Sequence, residues 1–453
     1  MGRSRQVDMI QGPLVPNMLR YCLPLMLSGI LQFFFNAADS MVVGKFASST
    51  ALAAVGTNAS LTELMVTLFV GISIGTSVLT ARYFGARDIE NARKCIHTSM
   101  ALSAVLSVAV TIVGLLLARP LMDMMKLDPL VYPEALQYLE IYLLGVPGLI
   151  TYNFGAAILQ AVGDTKRPLY YLSFAGIVNV VLNLILVICF HMGVRGVAIA
   201  TIVSQYISAV LVVRCLLRDK GEYRLVIRDI RFYRGHLLPL LQVGIPSGLQ
   251  NTMFALSNVT IQSSINSLGG IVTAASAAAG KIDGFIYIGA NAFYTAATTF
   301  TSQNYGARRY DRLTKVYTTS LGLSVGISAV LSLLVFLFGE PLLSLFIRSD
   351  DPNRDMILHY GMVRLTIIGI SYLLCSVMSC PANVLRGLGR SWTPMIITAV
   401  GVCLFRILWV FTVFPMFQTY ENIMLSYPIS WVLTAIVQMA FLLPLLRKYR
   451  LKA

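Results

Sequence analysis

Twelve apolar runs of membrane length set the frame for this chain. They fall at about 18–44, 53–80, 96–118, 136–159, 168–190, 194–217, 240–267, 275–301, 316–338, 357–380, 393–416 and 423–446. A helix needs about 20 mostly apolar residues to cross a hydrocarbon core about 30 Å thick. Inside that core every backbone N–H and C=O has to be satisfied within the chain, so such runs fold as helices. Charged residues make up only 12% of the 453, about half the share usual in soluble domains. The expectation is an all-α polytopic membrane protein with twelve transmembrane helices. The eighth run departs most from the pattern, because TAASAAAGKIDGF carries Lys281 and Asp283.

An internal repeat organises the helices. ARYFGARDIENARK at 81–94 resembles SQNYGARRYDRLTK at 302–315, LQAVGDTKRP at 159–168 resembles LRGLGRSWTP at 385–394, and YLEIYLLGVP at 138–147 resembles MVRLTIIGIS at 362–371. Pro24 corresponds to Pro246, and all four offsets lie between 221 and 226. The chain therefore reads as two six-helix lobes, 1–219 and 237–453, joined by a polar cytoplasmic linker at 220–236. Six is even, so the lobes run the same way through the membrane. Their symmetry axis is expected along the membrane normal, with a cavity between them.

Charge placement gives the orientation. With the N-terminus inside, 26 of the 35 Lys and Arg fall in cytoplasmic segments and 7 outside, while Arg364 and Arg406 lie within helices. Positive charge concentrates on the cytoplasmic side of membrane proteins, so both termini are expected inside a plasma (inner) membrane. The same bias accounts for the net charge of +15 as insertion chemistry, with no nucleic-acid partner. The seven cysteines and four histidines form no metal-ligand spacing, so no metal site is expected and the cysteines read as packing residues. The first apolar run is too long for a cleavable signal and has no small-residue cleavage site. No P-loop pattern occurs, so any pumping draws on an ion gradient or a partner.

One carboxylate sits deep in the first run, PLMLSGILQFFFNAADSMVVGK at 24–45. Asp39 is six residues, about 9 Å, inside the end marked by Lys45. A charge at that depth costs about 2.5–3.5 kcal/mol on insertion scales, which makes it a functional candidate. Gln32, Asn36 and Asp39 share one helical face. Pro24 removes a backbone donor and marks a hinge. In the fifth helix Asn179 and Asn183 share a face, and Thr201 in the sixth lies at a similar depth. Interhelical polar contacts worth about 0.6–2 kcal/mol each are the plainer account of such groups. A carboxylate at the same level favours a shared ion-coupling site of Asp39, Asn179, Asn183, Gln32 and Thr201.

Asn36, Glu63, Asp283 and Arg406 are candidates for a substrate cavity. Asp283 has Lys281 as a near partner for snorkelling or pairing. Glu140 and Arg364 occupy equivalent repeat positions with opposite sign, as a lobe-to-lobe pair or as separate interfacial anchors. Arg406 is open to an acid partner, a substrate anion or a structural role. The 19 Met, 22 Phe and 21 Tyr read either as packing material or as a plastic lining for flat cations.

The duplicated layout resembles the multidrug and toxic compound extrusion (MATE) transporters, above all proton-linked bacterial members coupled through the amino-terminal lobe. Pro24, the NAADSMVVGKF run, Asn179 and the paired YFGAR and NYGAR loops carry the resemblance, which spans essentially the whole chain. It implies that Asp39 is the coupling acid, with Gln32, Asn179 and Thr201 as its polar companions. Two positions depart from the family pattern. The fifth helix has Asn183 where an Asp is frequent, and the seventh helix lacks the acid of a sodium-linked branch. The function implied is secondary antiport, exporting amphipathic cationic drugs or toxic compounds in exchange for H+, with Na+ at Asp39 as the open alternative. No organic cofactor is expected; the partners are small amphipathic molecules and the lipid bilayer, and the chain is expected to act as a monomer. A flippase for lipid-linked oligosaccharide, with Arg406 meeting a pyrophosphate, is the other transporter reading. A membrane-embedded enzyme is disfavoured, since no paired Asp, Ser-His or His-metal set lies at one depth.

Overall fold

A computed structural model describes residues 6–125, 127–219, 221, 223–347 and 352–452, without the side chains of Ser49, Leu52, Ser60, Leu64 and Met65. Arg3, Arg5, Lys126, Lys220 and Arg348 of the charge tally lie outside the described residues. Among the described residues there are helices and no strands. The twelve long helices are α1 Leu14–Phe46, α2 Ser49–Gly85, α3 Ile89–Met124, α4 Tyr132–Ala161, α5 Lys166–Cys189, α6 Gly193–Arg218, α7 Arg234–Ser267, α8 Gly270–Gly306, α9 Tyr310–Ser344, α10 Arg354–Gly387, α11 Trp392–Thr412 and α12 Tyr420–Arg450. The twelve-helix architecture read from the apolar runs is the one observed.

Eleven of the twelve are long and apolar enough to cross a membrane. The exception is α7, not the eighth helix. Gln242, Gln250, Asn251, Asn258, Gln262 and Asn266 dilute α7, whereas α8 is a continuous helix of 37 residues with Asp283 buried inside it.

Contacts group the chain into two compact units. One comprises the N-terminal residues through Asp8 together with Leu23–Gly248; the other comprises Met9–Cys22 and Leu249–Ala453. These cuts fall beside Pro24 and Pro246, whereas the repeat divides at the linker. The start of α1 thus packs with the second unit: Tyr21 Oη and Thr299 Oγ1 are 3.1 Å apart, and Asn304 Nδ2 donates to the Met9 carbonyl at 2.9 Å. The start of α7 packs with the first, where Gly71 and Gly75 of α2 cross Gly244 and Gly248 backbone to backbone. A Cβ on Gly71 would lie 2.9 Å from the Ser247 carbonyl carbon, and one on Gly244 would lie 2.7 Å from the Ile72 carbonyl oxygen. Small residues allow this approach, which membrane helices use in place of a hydrophobic driving force.

Inside each unit the packing repeats. In the first, α4 contacts α2, α3 and α6; in the second, α10 contacts α8, α9 and α12. A stripe of small hydroxyl residues lines the matching helices: Ser99, Ser103, Ser107 and Thr111 on α3, and Ser320, Ser324, Ser328 and Ser332 on α9, related by an offset of 221. The last members each bond to a backbone carbonyl of the neighbouring helix, though at acceptors two residues apart in the repeat. Thr111 Oγ1 donates to the Leu143 carbonyl at 3.2 Å, and Ser332 Oγ to the Gly369 carbonyl at 2.6 Å. The Gly369 carbonyl belongs to a π-helical turn, Leu365–Gly369, where the wider winding frees a backbone acceptor. The loops repeat as well. Arg87 and Arg308 of the two Gly-Ala-Arg loops have φ of 57° and 56°, and Gly163 and Gly389 have φ of 90° and 83°.

Candidate functional site

In the first unit α1 and α5 meet at a glycine. A Cβ on Gly176 would fall well inside 3.0 Å of the Phe35 ring, so only glycine admits this ring here. The contact sets register. Asp39 lies one turn beyond Phe35, and Asn179 and Asn183 lie one and two turns beyond Gly176 on the same face. Asn183, fully buried, donates to the Asp39 carboxylate, and its Nδ2 lies 3.4 Å from Asn179 Oδ1. Asn179 is 5% exposed and Asp39 half-buried. A π-helical turn, Ile185–Cys189, begins two residues past Asn183. The result is a carboxylate held by a neutral amide donor, with no cation paired to it among the described residues. Such a carboxylate keeps oxygen lone pairs for a proton or a hard cation.

The structure gathers only part of the expected constellation. Gln32 and Asn36 are exposed, and neither side chain makes a hydrogen bond among the described residues. Their face carries Asp39, but the one amide that reaches the carboxylate, Asn183, comes from α5. Thr201 donates to its own helix at the Val197 carbonyl, 3.0 Å away, which is the ordinary behaviour of a hydroxyl within a helix. Glu63 on α2 is exposed and unpaired among the described residues. Pro24 is buried within a continuous α1, and Ser28 Oγ donates to its carbonyl at 2.9 Å.

The second unit corrects two pairings. Asp283 pairs with Arg364, not with Lys281: Arg364 Nε lies 2.8 Å from Asp283 Oδ2, and Arg364 Nη1 donates to Ser276 Oγ at 2.8 Å. The Lys281 ammonium instead lies 5.6 Å from the Phe346 ring centroid. Glu140 is 3.9 Å from Arg119 within the first unit, so no Glu140–Arg364 bridge is needed. Arg406 is 2% exposed. Its Nε donates to Ser430 Oγ at 3.1 Å, and its guanidinium stacks 3.9 Å from the Tyr427 centroid.

Two contacts of the site region were not among the sequence expectations. Gly176 lies three residues before Asn179 on one helical face, which was the available signal for the α1–α5 contact. The Asp283–Arg364 partnership joins α8 and α10 across 81 positions, and no local pattern points to it.

The duplicated bundle of twelve long helices, eleven of them apolar enough to cross a membrane, defines a polytopic membrane protein. The chain belongs to the MatE family, whose profile matches residues 24–185 and 246–412, one match per repeat. The chain is 26% identical over 84% of its length, and 85% of the relative's, to the "Probable multidrug resistance protein YpnP" of Bacillus subtilis (strain 168). It is 25% identical to the "Probable multidrug resistance protein YoeA" of the same organism, over 85% of this chain and 84% of that one. A solved structure described as the outward-facing conformation of a multidrug resistance MATE family transporter superposes with a TM-score of 0.92 at 23% identity, covering 99% of this chain and 100% of the other. That last likeness concerns the fold.

Proposed function

We propose that this protein is a secondary antiporter of the plasma membrane that exports amphipathic cationic drugs or toxic compounds in exchange for H+ or Na+, with Asp39 as the coupling group. The observation that carries the proposal is the Asp39 carboxylate held by Asn183, with Asn179 behind it and no cation paired to it among the described residues. The names of the relatives as multidrug resistance proteins support the substrate class.

The chemistry follows from competition at one charge. Asn183 orients the carboxylate and satisfies one oxygen. An arriving proton or sodium ion cancels the charge and weakens the hold on a cationic substrate, which then leaves on that side. The ion-loaded site then returns and releases the ion on the other side, where the freed carboxylate binds substrate again. Coupling needs ion and substrate to bind the two exposures with different affinities. Pro24, beside the boundary between the two packing units, serves as the flexible point of α1. Both termini face the cytoplasm, and one chain suffices as the transporting unit. The test is Asp39→Asn, which keeps the shape and removes the charge. The variant is expected to insert at normal levels and to lose export of a fluorescent cation against its gradient. Sustained uphill export by that variant sinks the assignment.

A further inference from the structure

The second unit holds a buried positive charge that no carboxylate among the described residues neutralises. Arg406 on α11 lies between α12 and the interior, with Tyr427 on one face and the Trp431 centroid 5.7 Å away. Among the described residues its only side-chain hydrogen bond is the one to Ser430, and Nη2, fully buried, finds no acceptor. Among the described residues no carboxylate comes within ion-pair distance of it. Asp283, a buried acid of the same unit, is already paired with Arg364, whose own Nη1 is held by Ser276. The Tyr372 ring lies 5.6 Å from that of Trp431. Arg386 offers a contrast. It too is buried, but both of its terminal nitrogens are bonded, to Asn383 and Gln250 at 2.9 Å each. Buried guanidinium groups are ordinarily paired, and their planar fork matches a carboxylate. Asp283 and Arg364 cancel each other, which leaves Arg406 with one formal positive charge that a monoanion cancels.

We propose that Arg406 is the anion-binding group of a subsite in the carboxy-terminal unit, which takes the carboxylate of an aromatic amphiphile, its ring lying among Tyr372, Tyr427 and Trp431. This goes beyond the coupling role of Asp39 and does not depend on it. The buried Nη2, which lacks an acceptor, donates to one carboxylate oxygen. The rings that already flank the guanidinium supply an apolar, π-rich wall for the body of the ligand. Compounds bearing a carboxylate therefore belong among those this protein binds.

The chain has three tryptophans, so Trp392→Phe with Trp409→Phe leaves Trp431 as the sole indole reporter. The full-length double variant, in phosphatidylcholine nanodiscs without any ion gradient, is titrated with biphenyl-4-carboxylate and with its neutral amide. The expected result is a saturable change in Trp431 emission for the carboxylate, with binding about tenfold weaker for the amide and about tenfold weaker again in Arg406→Gln. Arg406→Lys, which keeps the charge without the fork, is expected to fall between. Inorganic phosphate at the same concentrations is expected to leave the emission unchanged. Equal binding of carboxylate and amide in the parent protein overturns the proposal without needing any Arg406 variant to fold. So does undiminished binding in Arg406→Gln. Displacement of the probe by phosphatidylglycerol overturns the ligand class in favour of a lipid phosphodiester. Because no gradient is applied, a failure of coupling at Asp39 leaves the measurement intact.

Discussion

Replacing Gly176 with Ala tests how the site is assembled. The new Cβ falls inside 3.0 Å of three atoms of the Phe35 ring, where carbon atoms prefer about 3.5–4.0 Å. The ring or the helix has to give by about 1.5–2 Å to restore that spacing. Overpacking of this kind costs about 1–3 kcal/mol, and a ring forced some 30° off its rotamer about 0.5–1.5 kcal/mol. Asp39 follows Phe35 by one turn, so the displacement reaches the bond from Asn183. A hydrogen bond to a charged group contributes about 1.5–3 kcal/mol, which corresponds to roughly ten- to a hundredfold in ion-linked export. Phe35→Leu on the Gly176→Ala background removes the clash and is expected to restore both melting temperature and export, with a coupling energy of about 1 kcal/mol or more in the double-mutant cycle. The measurements are thermal unfolding of purified protein and efflux of a fluorescent cation. A harmless Gly176→Ala refutes the reasoning, and so does a Phe35→Leu that adds to the damage instead of relieving it.

Three further outcomes follow from the packing and the loops. Gly71→Ala, whose Cβ meets the Ser247–Gly248 backbone, is expected to lower stability by about 1–3 kcal/mol; Gly56→Ala, with nothing within 4 Å of its Cβ, is expected to raise it by up to about 1 kcal/mol, and equal shifts in thermal melting contradict the crossing. Ser332→Ala and Thr111→Ala are each expected to cost about 0.5–1.5 kcal/mol by losing the repeat-related bonds to α10 and α4, checked by denaturation. Asp88 caps α3 and is held below the usual carboxylate range by the Asn91 side chain and then the Asn91 backbone N–H. A depressed carboxyl stabilises the fold above its unfolded value, near pH 4, and stops doing so as pH falls through its folded value. Asp88→Ala is therefore expected to cost about 0.5–2 kcal/mol at pH 7, with the gap to the parent protein closing below about pH 4 in melting curves taken across that range.

Much of the architecture was legible because the bilayer restricts the choices. Length and apolarity alone place a helix when the solvent offers no hydrogen bonds, and twelve runs became twelve helices. The duplication was legible because its loops need special backbone: Arg87 and Arg308 take the left-handed conformation at the same place in each copy, as Gly163 and Gly389 do. The relative polarity of α7 and α8 was misjudged because two charges stand out in a sequence more than six scattered amides. The site was half legible. Asp39, Asn179 and Asn183 announce themselves as polar groups in oil. Which of several polar groups reaches the carboxylate depends on helix rotation and register, fixed by a Gly176–Phe35 contact across 141 positions. For the same reason Gln32 and Asn36 shared a helical face with Asp39, and Thr201 a depth, without bonding to it. Pairings such as Asp283 with Arg364 are tertiary facts that no spacing rule carries.

The central claim is that Asp39 links movement of substrate to movement of an ion. Purified protein and its Asp39→Asn variant, reconstituted in vesicles, are compared for accumulation of a fluorescent cation under an imposed pH gradient and under an imposed sodium gradient, alongside gradient-free exchange of the same compound. The account predicts that one of the two gradients drives accumulation by the parent protein and that Asp39→Asn abolishes it. Gradient-driven accumulation by Asp39→Asn at the parent rate contradicts it.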